Sequence, residues 1–175
     1  MLWNEKVFFV NETIRQQYFN TPYYGWCDIG YFRNRINDLN TMYLQNWPNN
    51  LKMYGNPFND SCIHYGCVQN NTITYVKLSN DIKNHYLNNL KSPPTIQYEE
   101  ICFAGGFFIM KPKLIDLYVK LYDEKLLYYF LNDYLIKDDQ TILMDIIFTN
   151  PNIFYIHTED KPNFDNWFMF QRLLL

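Results

Sequence analysis

The sequence has no excess of basic residues, and this absence argues against one class of function. Fifteen Lys and Arg residues stand against 18 Asp and Glu residues, which gives a formal net charge of -3 at pH 7. Proteins that bind nucleic acid usually present clustered positive charge to the phosphates. We therefore expect no nucleic-acid partner.

Long apolar runs and targeting patterns are also lacking. No uninterrupted apolar stretch approaches the roughly 20 residues that a membrane-spanning helix requires. The first residues do not show the positive, apolar and small-residue order of a signal peptide. The sequence therefore predicts a soluble protein without a membrane span, and we expect it in the cytoplasm.

Cysteine and histidine are too sparse to predict a disulfide framework or a zinc site. The four cysteines are scattered, and three of them lie in apolar or aromatic surroundings that are typical of buried free thiols. Cys62, His64 and Cys67 offer three soft ligands close together, but no fourth ligand follows nearby. A tetrahedral zinc site is therefore not favoured.

The chain is instead rich in apolar and aromatic side chains. Of its 175 residues, 48% are hydrophobic and 19% are aromatic, which argues against disorder. The length suffices for one domain with a sizeable core and is short for two. We expect a single domain over residues 1–175.

Apolar spacing divides the chain into alternating helices and strands. Helices are predicted at residues 3–19, 36–46, 81–90, 112–135 with a break near Asp123, and from Asp138 to Asn150. Strands are predicted at residues 23–28, 62–68, 99–110 and 153–157. Alternation favours a strand at 72–78, although a helix is also open there, and the apolar tail from Trp167 should pack on the domain. This order predicts an α/β fold with a mixed, largely parallel sheet flanked by helices.

Polar residues occur at the ends of these elements, where α/β proteins bind ligands. Asp28 and His157 end predicted strands. Asp138 and Asp139 precede an apolar helix, and one carboxylate suits an N-cap while the other requires a different role. The Gly105-Gly106 pair weakens its predicted strand unless something approaches the backbone closely. Together these positions predict a site.

Three blocks of sequence occur in a recognisable order: Trp26-Cys27-Asp28-Ile29-Gly30-Tyr31-Phe32-Arg33, Ala104-Gly105-Gly106-Phe107-Phe108 and Asp138-Asp139-Gln140-Thr141-Ile142-Leu143. Together they resemble the HtrL/YibB family, whose proteins are regarded as glycosyltransferase-like. They are also similar to GT-A nucleotide-sugar transferases of the glycogenin-like group. The resemblance implies a partial GT-A-like, Rossmann-like fold. It also implies sugar transfer from a nucleotide-sugar donor to a glycan or protein acceptor.

The resemblance implies roles for individual residues. Asp28 takes the first position of an Asp-x-Asp motif that holds Mn²⁺ or Mg²⁺ on the donor diphosphate. Gly105 and Gly106 match the strand whose backbone passes beside the donor sugar, and Arg33 in the first block is expected to bind substrate. The catalytic residues are expected to be Asp139, Asp138 and Gln140, with Asp139 as the functional carboxylate and Asp138 as the cap.

The sequence also departs from the family pattern. Gly30 stands at the second acidic position of Asp-x-Asp, and a lone carboxylate is a poor metal site. The segment from His157 to Lys161 is similar to one that supplies a metal histidine and a diphosphate-binding lysine, but with shorter spacing. The chain begins later than other members, so we expect it to lack the N-terminal nucleotide-binding part.

Two further interpretations remain open. The chain can be a non-catalytic remnant, or an interaction module that binds a glycan or protein through exposed aromatic rings. A metal-dependent hydrolase using Asp138 and Asp139 would need more His and acidic ligands than the sequence offers. If the chain derives from a transferase, Asp28, Gly105 and Asp139 should converge on one cleft.

Overall fold

Helices and strands alternate along the chain, which confirms the predicted α/β class. The computed structural model describes residues 2–33, 39–53, 58, 60–69, 71–90 and 92–175. Its α-helices are α1 (Lys6–Arg15), α2 (Asn50–Met53), α3 (Thr72–Leu87), α4 (Ile115–Leu131), α5 (Asp139–Thr149) and α6 (Met169–Leu173). Its strands are β1 (Tyr24–Cys27), β2 (Ile63–Gly66), β3 (Phe107–Met110) and β4 (Phe154–His157).

These strands form one mixed sheet in the order β1-β3-β2-β4. β3 runs antiparallel to both of its neighbours, whereas β2 and β4 are parallel. The mixed sheet is confirmed, but the expectation that it is largely parallel is wrong. After α3 the chain returns to the carboxyl end of β2, where Phe103 forms a bridge with Cys67. The strand that follows, β3, must therefore run antiparallel to β2.

The strand predicted at 72–78 is instead the first half of α3. The Asn71 side chain accepts hydrogen bonds from the backbone N–H groups of the second and third helical residues, so it caps the helix. Leu78, Ile82 and His85 recur at helical spacing and form the buried stripe. The polar helix predicted at 81–90 is the second half of this same element.

Other predicted boundaries also change. The strand predicted at 99–110 begins only at Phe107, because Gly105 and Gly106 form a turn before it. The break predicted near Asp123 is absent, since α4 is continuous from Ile115 to Leu131. The helix predicted at 36–46 lies partly outside the described residues, and its described part contains a short 3-10 turn at Thr41–Leu44.

Both faces of the sheet are covered, as the alternation of side chains in β3 shows. Phe108 and Met110 belong to the core formed with α1, α3, α4 and α5. Phe107 and Ile109 point to the opposite face and pack in a second cluster with the C-terminal residues Phe168–Phe170. The predicted packing of the tail is therefore confirmed. No helix in the described ranges has the length and apolarity needed to cross a membrane.

Candidate functional site

A cavity of about 600 Å³ opens where the residues after β1, the turn before β3 and the start of α5 meet. All three sequence blocks line it, through Asp28, Gly105 and Asp139 among others. The predicted convergence of these residues is confirmed. The volume lies in the range that small-molecule sites occupy, roughly 300–1,000 Å³.

Lys6 joins the three blocks. Its Nζ lies 2.9 Å from Asp139 Oδ2 and 3.2 Å from Asp28 Oδ1, and it donates a hydrogen bond of 2.8 Å to the Gly105 carbonyl. An ammonium group has three protons, so these three acceptors use its full capacity. The Lys6 side chain is only 8% exposed. A single buried cation therefore fixes the relative positions of the three blocks.

Sequence reasoning missed Lys6. The residue lies on the buried face of α1, where Val7 and Val10 pack into the core. A lysine within an apolar helical stripe is unusual because its ammonium group must find partners when it is buried. That interruption of the stripe was the signal in the sequence. It indicates a buried acidic partner, although it cannot identify which carboxylates supply it.

The two aspartates at the start of α5 have different partners, and the prediction that Asp138 is the cap is confirmed. Asp138 is the N-cap, and its Oδ1 accepts a hydrogen bond of 3.2 Å from the backbone N–H of Thr141. Asp139 instead turns towards Lys6, with a side chain that is 10% exposed. Burial raises the pKa of Asp139, and the adjacent Lys6 offsets only part of that effect.

The glycine pair allows the close approach that the sequence suggested. A Cβ atom on Gly105 would lie 2.8 Å from Asp139 Oδ2, which is too short for a normal contact. On Gly106 the nearest atom would be Asp28 Oδ2 at 3.4 Å, an ordinary contact distance. Gly105 is therefore needed for the approach of Asp139, whereas Gly106 contributes its carbonyl, which accepts a 2.8 Å bond from the Asp28 N–H.

Arg33 fills the space that the missing side chain of Gly30 leaves. The Arg33 Nε donates a hydrogen bond to the Gly30 carbonyl. A Cβ atom at position 30 would lie 2.9 Å from Nε and 3.1 Å from Cζ of the guanidinium. The place of the second acid in Asp-x-Asp is thus taken by a cation that also lines the cavity.

The donors around Asp28 do not suit a divalent cation. Mn²⁺ and Mg²⁺ require several oxygen ligands, usually with more than one carboxylate. Here both Asp28 and Asp139 contact the Lys6 ammonium, and Arg33 covers Gly30. Within the described ranges, no group of three or more His, Cys, Asp or Glu side chains could hold a metal ion. The cation between the two carboxylates is a side chain of the protein itself.

His157 is not brought to Asp28, contrary to its expected role as a second metal ligand. His157 is the last residue of β4, whereas Asp28 follows β1, and these two strands form opposite edges of the sheet. His157 Nε2 lies 2.9 Å from His64 Nδ1, and the ring is buried beneath Phe58. Burial first, and then the neighbouring His64, lowers the pKa of His157 to about 4. The pair belongs to the core rather than to the cavity.

Lys161 is also separated from the cavity, contrary to its expected role beside the diphosphate. It lines a different surface depression of about 530 Å³ near the end of β4. Its Nζ pairs with Glu159 Oε1 at 3.0 Å. Burial opposes the ionisation of Glu159, but its hydrogen bonds with Arg172 and Lys161 prevail and lower its pKa. Lys161 therefore joins an ion cluster that ties the C-terminal segment to β4.

The cavity includes further side chains that sequence reasoning missed. Tyr98 and Trp167 add aromatic rings to its lining, and Lys137 and Asp165 add charge. Trp167 gave no separate signal because it opens the apolar tail. Lys137 directly precedes the cap residue Asp138, and this position brings its positive charge to the cavity.

The acidic and basic side chains that line the cavity differ in how far they are paired within the protein. Asp28 and Asp139 contact Lys6, and the remaining acids, Asp138 and Asp165, accept hydrogen bonds from backbone N–H groups. Among the residues that the structure describes, Arg33 and Lys137 form no ion pair, although both line the cavity. The acids are thus engaged by the protein, while two cations remain available to an anionic ligand.

Comparisons with known proteins place the chain in a family. A family model described as "Bacterial protein of unknown function (HtrL_YibB)" matches residues 1–174. Comparison with curated proteins and comparison with solved structures each returned no match. Because the family match extends over nearly the whole sequence, the chain belongs to the HtrL/YibB family.

Proposed function

We propose that this protein is glycosyltransferase-like and binds a nucleotide-sugar donor in the cavity, from which the sugar passes to a glycan or protein acceptor. One observation carries the proposal. Asp28, Gly105 and Asp139 come from distant parts of the sequence, yet one buried ammonium contacts all three. We would not expect an ordinary strand end, turn and helix cap to share one buried ammonium group.

The lining of the cavity suits a sugar attached to an anionic group. Aromatic faces such as those of Tyr98 and Trp167 can pack against the C–H face of a pyranose. Carboxylates can accept hydrogen bonds from its hydroxyls, and amides can both accept and donate them. Gln140 follows Asp139 into the same cavity. Arg33 is available to the phosphates of the donor.

In this proposal Asp139 is the base. The acceptor hydroxyl attacks the anomeric carbon, the bond to the donor diphosphate breaks, and the hydroxyl proton passes to the Asp139 carboxylate. A raised pKa makes this carboxylate a better proton acceptor than an ordinary aspartate. Lys6 holds it in place, and such positioning is a large part of the advantage of an enzyme over solution.

A binding module is the second candidate. The Lys6 ammonium directs its three protons to acceptors within the protein, and Asp139 is held in an ion pair. That arrangement is also what a rigid recognition site needs, without any transfer. In this case the cavity would bind the sugar nucleotide, or a glycan, and release it unchanged.

Ligand-detected NMR with a panel of UDP- and GDP-sugars, followed by an assay for nucleoside diphosphate release, tests the proposal. We expect the wild type to bind a nucleotide sugar and Asp139→Asn to bind it at least tenfold more weakly. This fall in affinity corresponds to one charge-assisted hydrogen bond of about 1.5–3 kcal/mol. Asp116→Asn is the matched control because its side chain is 81% exposed on α4. Binding with release indicates a transferase, and binding without release indicates the module. No binding by any nucleotide sugar would refute the transferase and would leave a glycan as the only ligand open to the module.

A further inference from the structure

We infer that the cavity binds the diphosphate of its ligand through Arg33, with Lys6 in the position that a bridging metal would need, so that no divalent cation takes part. This inference rests on the proposed function and concerns the way in which that site takes its anion. It departs from the Mn²⁺ or Mg²⁺ that the Asp-x-Asp resemblance implied. Three observations carry it.

The first observation is the exchange at position 30. A metal-binding motif would place a second carboxylate there. Instead, Gly30 has no side chain, and the Arg33 guanidinium lies where one would begin, within 2.9 Å of an added Cβ. A positive group therefore occupies the place of a negative one. A guanidinium can bind a phosphate directly through two parallel N–H donors, without an intervening ion.

The second observation is the place of the Lys6 ammonium. It contacts Asp28 Oδ1 at 3.2 Å and Asp28 Oδ2 at 3.3 Å, as well as Asp139 Oδ2 at 2.9 Å. A metal ion that bridged these two carboxylates would have to displace Lys6. Displacement would leave a lysine that is 8% exposed without its two carboxylate partners, which is costly in a buried setting.

The third observation is the distribution of unpaired charge. The carboxylates of the cavity have partners within the protein, so they offer little to an added cation. Arg33 and Lys137 line the cavity, and over the described ranges neither has a carboxylate within ion-pair distance. The charge left for a ligand is positive, and its natural counterpart is a phosphate or diphosphate group.

Calorimetric titration with inorganic pyrophosphate tests this inference on the intact chain. We expect saturable binding in EDTA and no tightening when Mn²⁺ replaces EDTA. Arg33→Gln should weaken the binding in EDTA by about tenfold or more, the loss of one charge-assisted interaction. Arg15→Gln is the matched control, since its side chain is 65% exposed on α1 and pairs with Asp116. Binding only with Mn²⁺, and lost in Asp28→Asn, would overturn the inference.

Gly30→Ala provides an independent test that leaves the arginine in the sequence. The added Cβ would displace the guanidinium, so pyrophosphate binding in EDTA should weaken while the melting temperature stays close to that of the wild type. Pyrophosphate affinity equal to the wild type in both Gly30→Ala and Arg33→Gln would refute the role of Arg33.

The two proposals can fail separately. A nucleotide sugar that binds only with Mn²⁺ would overturn the metal-free inference and keep the proposed function. Pyrophosphate that binds in EDTA through Arg33, with no affinity for any nucleotide sugar, would keep the anion site and remove the transferase. No binding of either ligand in either buffer would remove both.

Discussion

Helix α5 carries two buried ion pairs that look alike and differ in their surroundings. Near its start, Asp139 lies 2.9 Å from Lys6, and further along Asp145 lies 2.9 Å from Lys125. Both lysine side chains are largely buried, at 8% and 15% exposed. Distance and burial alone therefore give no reason to assign a function to one pair and not to the other.

The Asp145 pair is enclosed by tyrosines. Asp145 is fully buried, and its Oδ2 accepts hydrogen bonds from the hydroxyls of Tyr86 and Tyr129, the latter at 3.0 Å. Lys125 donates to the Tyr86 hydroxyl at 2.9 Å and lies 4.0 Å from the centre of its ring. Each charge is thus surrounded by protein groups, and neither residue lines the cavity at the start of α5.

The Asp139 pair borders the cavity and lies against the backbone of Gly105, which has no side chain. Its neighbours are the Gly105 carbonyl and the second carboxylate, Asp28, whose side chain is 37% exposed. Within this protein, open space and a close glycine distinguish the Asp139 pair from the Asp145 pair, although distance and burial do not. The Asp145 network holds α3, α4 and α5 together, whereas the Asp139 cluster borders the cavity for which we propose a ligand.

Asp145→Ala should have the largest effect on folding. It removes the acid that pairs with Lys125 in a buried network and leaves that lysine without its carboxylate, which typically costs about 3–5 kcal/mol. We expect a matching fall in the free energy of unfolding in urea, while pyrophosphate affinity of the remaining folded protein stays unchanged. A loss of affinity at unchanged stability would show that the network serves the site rather than the helices.

Gly105→Ala should have an intermediate effect that separates stability from ligand binding. The new Cβ would force Asp139 away from Lys6, with a cost of about 1–3 kcal/mol as for other overpacked sites, and with lost ligand affinity. Gly106→Ala is the matched control for stability, because its Cβ would meet nothing closer than 3.4 Å. Equal melting temperatures for the two variants, or a Gly105→Ala affinity equal to that of the wild type, would contradict the importance of the close approach.

Much of the fold followed from local patterns. Strands β1, β2 and β4 and the capped start of α5 were predictable because a short apolar run and an N-cap are local features. Strand pairing was not, since the antiparallel course of β3 depends on where the loop after α3 returns the chain. The segment 72–78 was misassigned because its alternation outweighed the capping signal of Asn71.

The site was predictable in part for the same reason. Asp28, Gly105 and Asp139 belong to blocks that resemble a family, and their convergence was expected. Lys6 has no such block, and its partners are distant in the sequence. The prediction that His157 lies beside Asp28 was wrong because β1 and β4 form opposite edges of the sheet. Strand order of this kind is not contained in any local sequence pattern.

Asp139→Asn should have a smaller effect on stability than Asp145→Ala, and this difference sharpens the comparison. The amide keeps the shape of the carboxylate, and Lys6 retains Asp28 and the Gly105 carbonyl as acceptors. We expect a loss of about 1 kcal/mol, as for one ordinary hydrogen bond, when unfolding is measured in urea. A loss of 3–5 kcal/mol, as expected for Asp145→Ala, would make both pairs structural.

The pH dependence of stability should give the smallest effect, and its sign is set by Asp139. Burial, only partly offset by Lys6, raises the pKa of this group above its usual 3.8 in the folded state. Between 3.8 and the raised value, the folded protein therefore binds more protons at this position than the unfolded chain does. As the pH rises through that window, the contribution of Asp139 to stability must fall.

Other carboxylates titrate over the same range, so the measured quantity is the difference in unfolding free energy between the wild type and Asp139→Asn. Urea titrations from pH 4 to pH 7 should show that this difference moves against the wild type as the pH rises, and then levels off. A shift in favour of the wild type would mean that Lys6 outweighs burial. Asp139 would then be held as a carboxylate even in acid, a state poorly suited to accepting a proton.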